Sequence, residues 1–184
     1  YLKRVLNPRR YIHSLGVVEM ADELATIHGA NVQKARFAGL VHDIAKCYSC
    51  ETMNRLIRIY GVDLKFFNTP ELAHSKVGAA ILQKDFGIED AEILMSVSSH
   101  TAGRYGMSLL EEIIYVADAI EINRTYAEVP ELRELAKQDL DKACLEIIKY
   151  SIELLGKSGV PVDNDTYEAK RFFLDKITER KSKL

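Results

Sequence analysis

Start and stop signals for α-helices punctuate this chain almost end to end and leave no interval for a sheet. Asn7-Pro8 pairs an N-cap residue with proline at the first helical position, and Gly29 supplies the matching stop. Asn31 caps a second helix expected to run to Lys46–Cys47. A third spans Ser49 to Tyr60 and stops at Gly61, and Thr69-Pro70-Glu71 opens a fourth that closes at Gly87. A fifth covers roughly Asp90 to Ser99. Ser108 with Glu111 three residues on forms a capping box for a sixth, through Ile113, Val116 and Ile120. Two more helices are expected at about 139–155 and 166–181, the last opened by a second box of Asp165 and Glu168. No period-two apolar run is bounded by hairpin turns. The reading is a single all-α domain over 1–184, its core at about 9–125 and a C-terminal helical extension at about 131–181. The stripe Leu140, Ala143, Cys144, Ile147, Ile148, Ile152 and Leu155 reads as core, and the tail TERKSKL as solvated.

With 184 residues, 47% of them hydrophobic and 28% charged, the chain can close one real core. A formal charge of −2 and a pI near 6.3 give no global basic field, so non-specific binding to nucleic acid or to an anionic membrane is not expected. No apolar run approaches the ~18 residues of a spanning helix. The start YLKRVLNPRR has no signal-peptide apolar region, and three cysteines form no even disulfide set. A reducing cytoplasm is the expected location. Cys47-Tyr48-Ser49-Cys50 is a C-x-x-C without a second pair and without the βαβ setting of a redox motif, and it is set aside.

The chemistry concentrates elsewhere. In LVHDIAKC, residues 40–47, a histidine and an aspartate sit side by side within an apolar helical run. His13, His42, His74 and His100 fall on four separate helices or at their ends, while His28 lies in the last turn of the first, where it reads as structural. A lone helical histidine is more often a satisfied or exposed side chain than a ligand. Several of them beside buried carboxylates are another matter. Asp118 lies within IIYVADAI, apolar on both sides, where an unpaired charge costs several kcal/mol or stays protonated. An arginine partner would satisfy it, and so would a divalent cation, which would also account for His42-Asp43. Four imidazoles and two carboxylates suit Fe, Mn, Co, Ni or Zn better than Mg or Ca.

This order of residues, His13, then His42-Asp43, then Asp118, resembles the H…HD…D signature of the HD-domain metal-dependent phosphohydrolases. The segments RRYIHSLGV, LVHDIAK, LAHSKVGA, SSHTAGRYGMSLLEEIIYVADAIE, NRTY and ELRELA are similar to the bacterial YqeK-type family of symmetrical diadenosine-tetraphosphate hydrolases. The likeness runs from about Arg9 to Phe172, and it departs from the family at Ile122-Asn123 and Ala127-Glu128. It implies an HD-domain helical bundle holding two divalent metal ions, iron first, with Mn, Co, Ni or Zn as alternatives. His13, His42, Asp43 and Asp118 would hold one ion, and His74 and His100 the second, with Asp43 bridging. Asp43 and His42 would then be catalytic through the metals, with a metal-bridging hydroxide as nucleophile.

Arg10 lies three residues before His13, and Lys46 three after Asp43, each on the ligand's helical face. Arg104 follows His100 in the loop TAGRYG, and Arg124 follows Asp118 by six residues. With Thr101 and the backbone near Gly103 and Gly106, these form the expected polyphosphate rim; Lys46 also counts among the expected catalytic residues. The expected reaction is diadenosine tetraphosphate plus water to two ADP, the cut position being implied by the resemblance alone. Two alternatives stand beside it: hydrolysis of another nucleotide (a nucleoside phosphate, a guanosine alarmone or a cyclic dinucleotide), or a non-catalytic nucleotide-sensing module. The expected partner is a nucleotide polyphosphate, not a nucleic-acid polymer or a membrane, and a homodimer is left open.

Overall fold

Asn7 starts the first long helix by accepting the Arg10 amide at 2.8 Å, and Gly29, at φ 72°, ends it in the left-handed region that glycine enters without penalty. The same logic sets most of the other elements. The computed structural model describes residues 1–182, and among them are ten α-helices and no strand. In chain order they are α1 (Leu2–Val5), α2 (Pro8–His28), α3 (Val32–Val41), α4 (Cys50–Tyr60), α5 (Pro70–Phe86), α6 (Ala91–Ser99), α7 (Leu109–Ile120), α8 (Val129–Gln138), α9 (Leu140–Lys157) and α10 (Asn164–Ser182). A short 3-10 turn, Leu64–Phe66, leads into α5. Ser108 and Glu111 form the expected box, both halves present. Lys183 and Leu184 of the tail read as solvated lie outside the described residues.

Three expectations need correction. α3 ends at Val41 and does not reach Lys46–Cys47. His42 Nδ1 lies 2.8 Å from the Gly39 carbonyl, the acceptor that a continuing helix would offer the Asp43 amide. The chain then tightens into three-residue turns, Ile44 N–H to Val41 O and Lys46 N–H to Asp43 O. Second, α10 opens on Asp163, whose side chain accepts the Asp165 amide at 2.8 Å, while Glu168 pairs with Arg171 and closes no box with Asp165. Third, α8 carries no side-chain cap at Glu128 and is a helix of its own ahead of α9.

Two apolar clusters result. The larger unites α2, α3, α6 and α7 with α8, α9 and α10, and its buried residues include Leu24, Ile113, Ile148 and Phe173. The C-terminal helices therefore share the core of the N-terminal ones. Burying Phe173 alone is worth about 2–3 kcal/mol. The smaller cluster joins Val41, Ile44 and Ala45 to α4 and α5 through Met53, Ile57, Val77 and Ile81. Gly78 allows this approach, since a Cβ there would stand 3.1 Å from Ile44 Cγ2. The turn His42–Cys47 is thus anchored in the smaller cluster through Ile44 and Ala45, and everything chemical gathers around it. His28 ties α2 to α8 through the Ala136 carbonyl at 2.7 Å. No helix among the described residues is long and apolar enough to cross a membrane.

One buried group makes stability depend on pH. Burial pushes Glu112 up to about 7 and Asp141 adds to that rise, although Lys176, 2.6 Å from Glu112 Oε1, pulls the other way. Its folded value lies above the unfolded one of about 4.5, so the unfolded chain releases this proton first as pH rises. The contribution of Glu112 to stability is therefore greatest below pH ~4.5 and is lost progressively up to about pH 7. The stability of wild type minus that of Glu112→Gln, from urea midpoints, is expected to fall between pH 4.5 and 7 and then level off. A pH-independent difference would refute this.

Candidate metal centre

Five elements bring six side chains to one point. His13 comes from the second turn of α2, His42 and Asp43 from the end of α3, His74 from the first turns of α5, His100 from the C-cap of α6, and Asp118 from the last turn of α7. All are buried except Asp118, whose side chain is 24% exposed.

The four imidazoles are oriented alike. Nδ1 of His42, His74 and His100 lies against a carbonyl of its own helix, that of Gly39, Pro70 and Val97, at 2.8, 3.3 and 2.7 Å. Nδ1 of His13 lies 3.1 Å from Glu121 Oε1. A carbonyl or carboxylate oxygen only accepts, so each partner favours the Nδ1–H tautomer and leaves a lone pair on Nε2. His42 and His100 use the same device, capping a helix with the ring that the site needs.

All four Nε2 atoms converge on one carboxylate. Asp43 Oδ2 faces His42 at 3.4 Å and His13 at 3.8 Å, while Oδ1 faces His74 at 3.3 Å and His100 at 3.6 Å. Asp118 Oδ1 lies 3.0 Å from His13 Nε2 and 3.9 Å from that of His42. The triads His13–His42–Asp118 and His42–Asp43–His100 each offer one donor atom apiece within 4.8 Å of the others, close enough to surround a single ion. His13 Nε2 and His42 Nε2 are buried without a hydrogen-bond partner. Such atoms are costly unless something completes them, and a divalent cation suits both these two nitrogens and the mixed imidazole–carboxylate donor set.

The charge balance points the same way. Burial acts to raise Asp43, but the positive charge of His42 and the close approach of the His100, His42 and His74 rings hold it well below the usual carboxylate range. Burial likewise acts to raise Asp118, and His13 and His42 outweigh it. Both carboxylates are thus ionised at neutral pH. Burial pushes His74 down to about 4 against the pull of Asp43, so this ring is neutral there. For His42 burial acts downward, yet Asp43 more than offsets it and the ring is raised. The centre attracts positive charge.

The arginine and cation explanations for Asp118 prove compatible. Arg124 Nη2 reaches Asp118 Oδ1 at 3.0 Å, and Arg10 Nη1 reaches Asp43 Oδ2 at 2.8 Å. Lys46 Nζ lies 3.3 Å from His74 Nε2, and Thr101 Oγ1 lies 3.2 Å from the same atom. Arg10, Lys46, Thr101 and Arg124 therefore line one cleft of about 290 Å³ with Asp43, His74 and His100. A second cavity of about 700 Å³ opens beside it, and Arg10 and Arg124 line both. Arg104 is placed differently: Glu111 holds its guanidinium bidentately at 2.6 and 2.7 Å, away from this cleft. The Gly103 amide is likewise engaged, donating to the Ser99 carbonyl at 2.8 Å. Sequence reasoning missed Glu121, which touches His13, and Asn123, which touches Glu121.

These positions can now be set against known proteins. The HD-domain family profile matches residues 10–123, the interval that carries all six side chains. A Bacillus subtilis protein named "Bis(5'-nucleosyl)-tetraphosphatase, symmetrical" is 42% identical over 167 residues, 90% of either chain. A Staphylococcus aureus protein of the same name is 36% identical over 175 residues, 93% of this chain and 90% of that one. Among solved structures, a predicted HD superfamily hydrolase involved in NAD metabolism from Clostridium acetobutylicum superposes with a TM-score of 0.92 at 38% identity, covering 96% of this chain and 94% of the other. The chain belongs to the HD-domain family, and within it to the family of the relatives named as symmetrical bis(5'-nucleosyl)-tetraphosphatases.

Proposed function

We propose that this protein is a metal-dependent hydrolase that cleaves dinucleoside tetraphosphates symmetrically, converting diadenosine tetraphosphate and water to two ADP. The observation that carries the reading is Asp43, one carboxylate whose two oxygens each face a separate pair of imidazoles. Relatives similar over nine-tenths of the chain and named for this activity support the substrate class. His13, His42, Asp43 and Asp118 would hold one divalent ion, and His74, His100 and Asp43 a second. Bound there, such ions lower the pKa of water and neutralise charge on the attacked phosphoryl group. The mixed imidazole and carboxylate donors suit Fe, Mn, Co, Ni or Zn, and iron, which the family resemblance puts first, is the first metal to test.

The remaining work falls to the rim. Arg10 and Arg124 pair with Asp43 and Asp118, the carboxylates that a bound cation would neutralise. Both guanidiniums then become free to take phosphate oxygens, and their planar forks suit that task. They stand between the cleft and the larger cavity, so a bridging polyphosphate can lie across the centre with a nucleoside on either side. Lys46 and Thr101 add donors to the same cleft. The three free thiols accord with a reducing cytoplasm.

If the rim binds phosphate, Arg10→Ala and Lys46→Ala should each raise the KM for diadenosine tetraphosphate about tenfold or more, the loss of one charge-assisted hydrogen bond. Metal content should stay at the wild-type level. Unchanged KM values in both variants would remove these residues from the substrate site. The function itself is tested with a panel: diadenosine and diguanosine tetraphosphates, ATP, a guanosine alarmone, a cyclic dinucleotide, and NAD in view of the Clostridium protein's description. Preference for the tetraphosphates with nucleoside diphosphates as products is expected. Preference for another member would transfer the site to that substrate, and tight binding without turnover would make the protein a sensor.

A further inference from the structure

We propose that Glu121 is the positioning residue of His13, and that position 16 is glycine so that this carboxylate can reach the ring. Glu121 directly follows the last residue of α7 and is 2% exposed. Its backbone turns extended, at φ −53° and ψ 162°, so that the side chain folds back toward α2. Oε1 lies 3.1 Å from His13 Nδ1. Oε2 accepts both the Asn123 amide at 2.7 Å and Asn123 Nδ2 at 2.9 Å. Arg133 fixes the main chain at this point, donating to the Ile120 carbonyl at 2.8 Å and to the Glu121 carbonyl at 2.7 Å. Every oxygen of Glu121 is therefore held, and the carboxylate has one orientation.

Gly16 is the second and independent observation. It lies one helical turn beyond His13 and is buried in the interior of α2, where glycine costs about 0.5–1 kcal/mol relative to alanine. A Cβ on Gly16 would overlap Glu121 Oε2 and stand 3.1 Å from Asn123 Nδ2. The helix keeps a poor helix former at a place where a methyl group would displace Glu121.

The arrangement also separates His13 from the other three rings. His42, His74 and His100 lean on carbonyls of their own helices, fixed as soon as those helices form. Arg10 O, one of the carbonyls within reach of His13 on α2, accepts the Ser14 hydroxyl at 3.2 Å. His13 takes a carboxylate from an element 108 residues away. An anion on Nδ1–H makes Nε2 a stronger donor to a cation than a neutral carbonyl does. Glu121 thus tunes and aims the one histidine that faces Asp118 at 3.0 Å.

The inference rests on His13 being a metal ligand, and the test keeps the two apart. Wild type, Glu121→Gln, Gly16→Ala and the double variant are stripped of metal, titrated with Mn(II) by calorimetry, and then assayed on diadenosine tetraphosphate at saturating Mn(II). Urea midpoints in chelator provide the check on folding. Both single variants are expected to bind Mn(II) about 10- to 100-fold more weakly, with KM nearly unchanged and kcat largely recovered once metal saturates. Gly16→Ala retains the carboxylate, so its loss reports displacement, and the double variant should be little worse than Glu121→Gln alone. Wild-type Mn(II) affinity in the folded single variants, or fully additive losses in the double variant, would overturn the inference. A wild type that binds no Mn(II) would instead overturn the metal reading.

Discussion

Replacing Asp43 by asparagine is expected to lower hydrolysis of diadenosine tetraphosphate by about a thousandfold or more, equivalent to about 4 kcal/mol of transition-state stabilisation. The substitution changes one oxygen to an amide of nearly the same shape, so packing around the turn His42–Cys47 is kept. What it removes is, among the described residues, the one charge that faces all four imidazoles, at 3.3 to 3.8 Å. The surrounding rings hold that charge ionised well below neutral pH, so the loss applies across the working range. Arg10 loses its partner at the same time. The apo variant should nevertheless fold, with a melting temperature in chelator within about 4 °C of wild type, because both core clusters are untouched. Retention of more than about a tenth of wild-type turnover by a folded Asp43→Asn protein would be incompatible with a shared ligand and with the rate loss expected above.

Removing the metal should act as strongly as removing Asp43. Stripped protein is expected to fall to background turnover, and Fe(II), Mn(II) or Co(II) should restore it. Stability should follow. The buried Nε2 atoms of His13 and His42 make no hydrogen bond and meet the carboxylates only in the fold, so a cation that completes them binds the folded state. An ion present at a hundred times its Kd adds about 2.7 kcal/mol, which for a chain of this size raises the melting temperature by about 5–10 °C. Melting curves with and without Mn(II) check the second effect, and stopped assays in chelator the first. Full turnover after stripping would contradict the first, and no thermal response to any of the three metals the second.

The helices were legible because their caps are chemical. Asn7, Asn31, Ser49, Asp90 and Ser108 each accept an amide two or three residues on, and Gly29, Gly61 and Gly87 close their helices in the left-handed region. α8 was illegible for the complementary reason: Glu128 precedes it without a side-chain cap. The end of α3 was hidden because the apolar pattern of LVHDIAK runs on past Val41 while His42 takes the Gly39 carbonyl. At the site, the order of His13, His42-Asp43, His74, His100 and Asp118 carried the assembly, since each falls where an element faces the same turn. Arg104 shows the limit of proximity in sequence. It is four residues from His100, yet the loop bends at Gly103, at φ 71°, and Glu111 takes the guanidinium. Glu121 left only an indirect trace, an unexplained glycine one turn from His13. Contacts between residues 108 positions apart have no local signature.

The centre around Asp43 is expected to use metal to open the tetraphosphate bridge in its middle with water. The most direct measurement is a turnover of diadenosine tetraphosphate in ¹⁸O-water by anaerobically metal-loaded protein, with each product identified by mass. ADP is expected as the only nucleotide product, half of it carrying one ¹⁸O, with no product from the stripped protein. ATP and AMP as products, or equal yields of ADP from loaded and stripped protein, would contradict it.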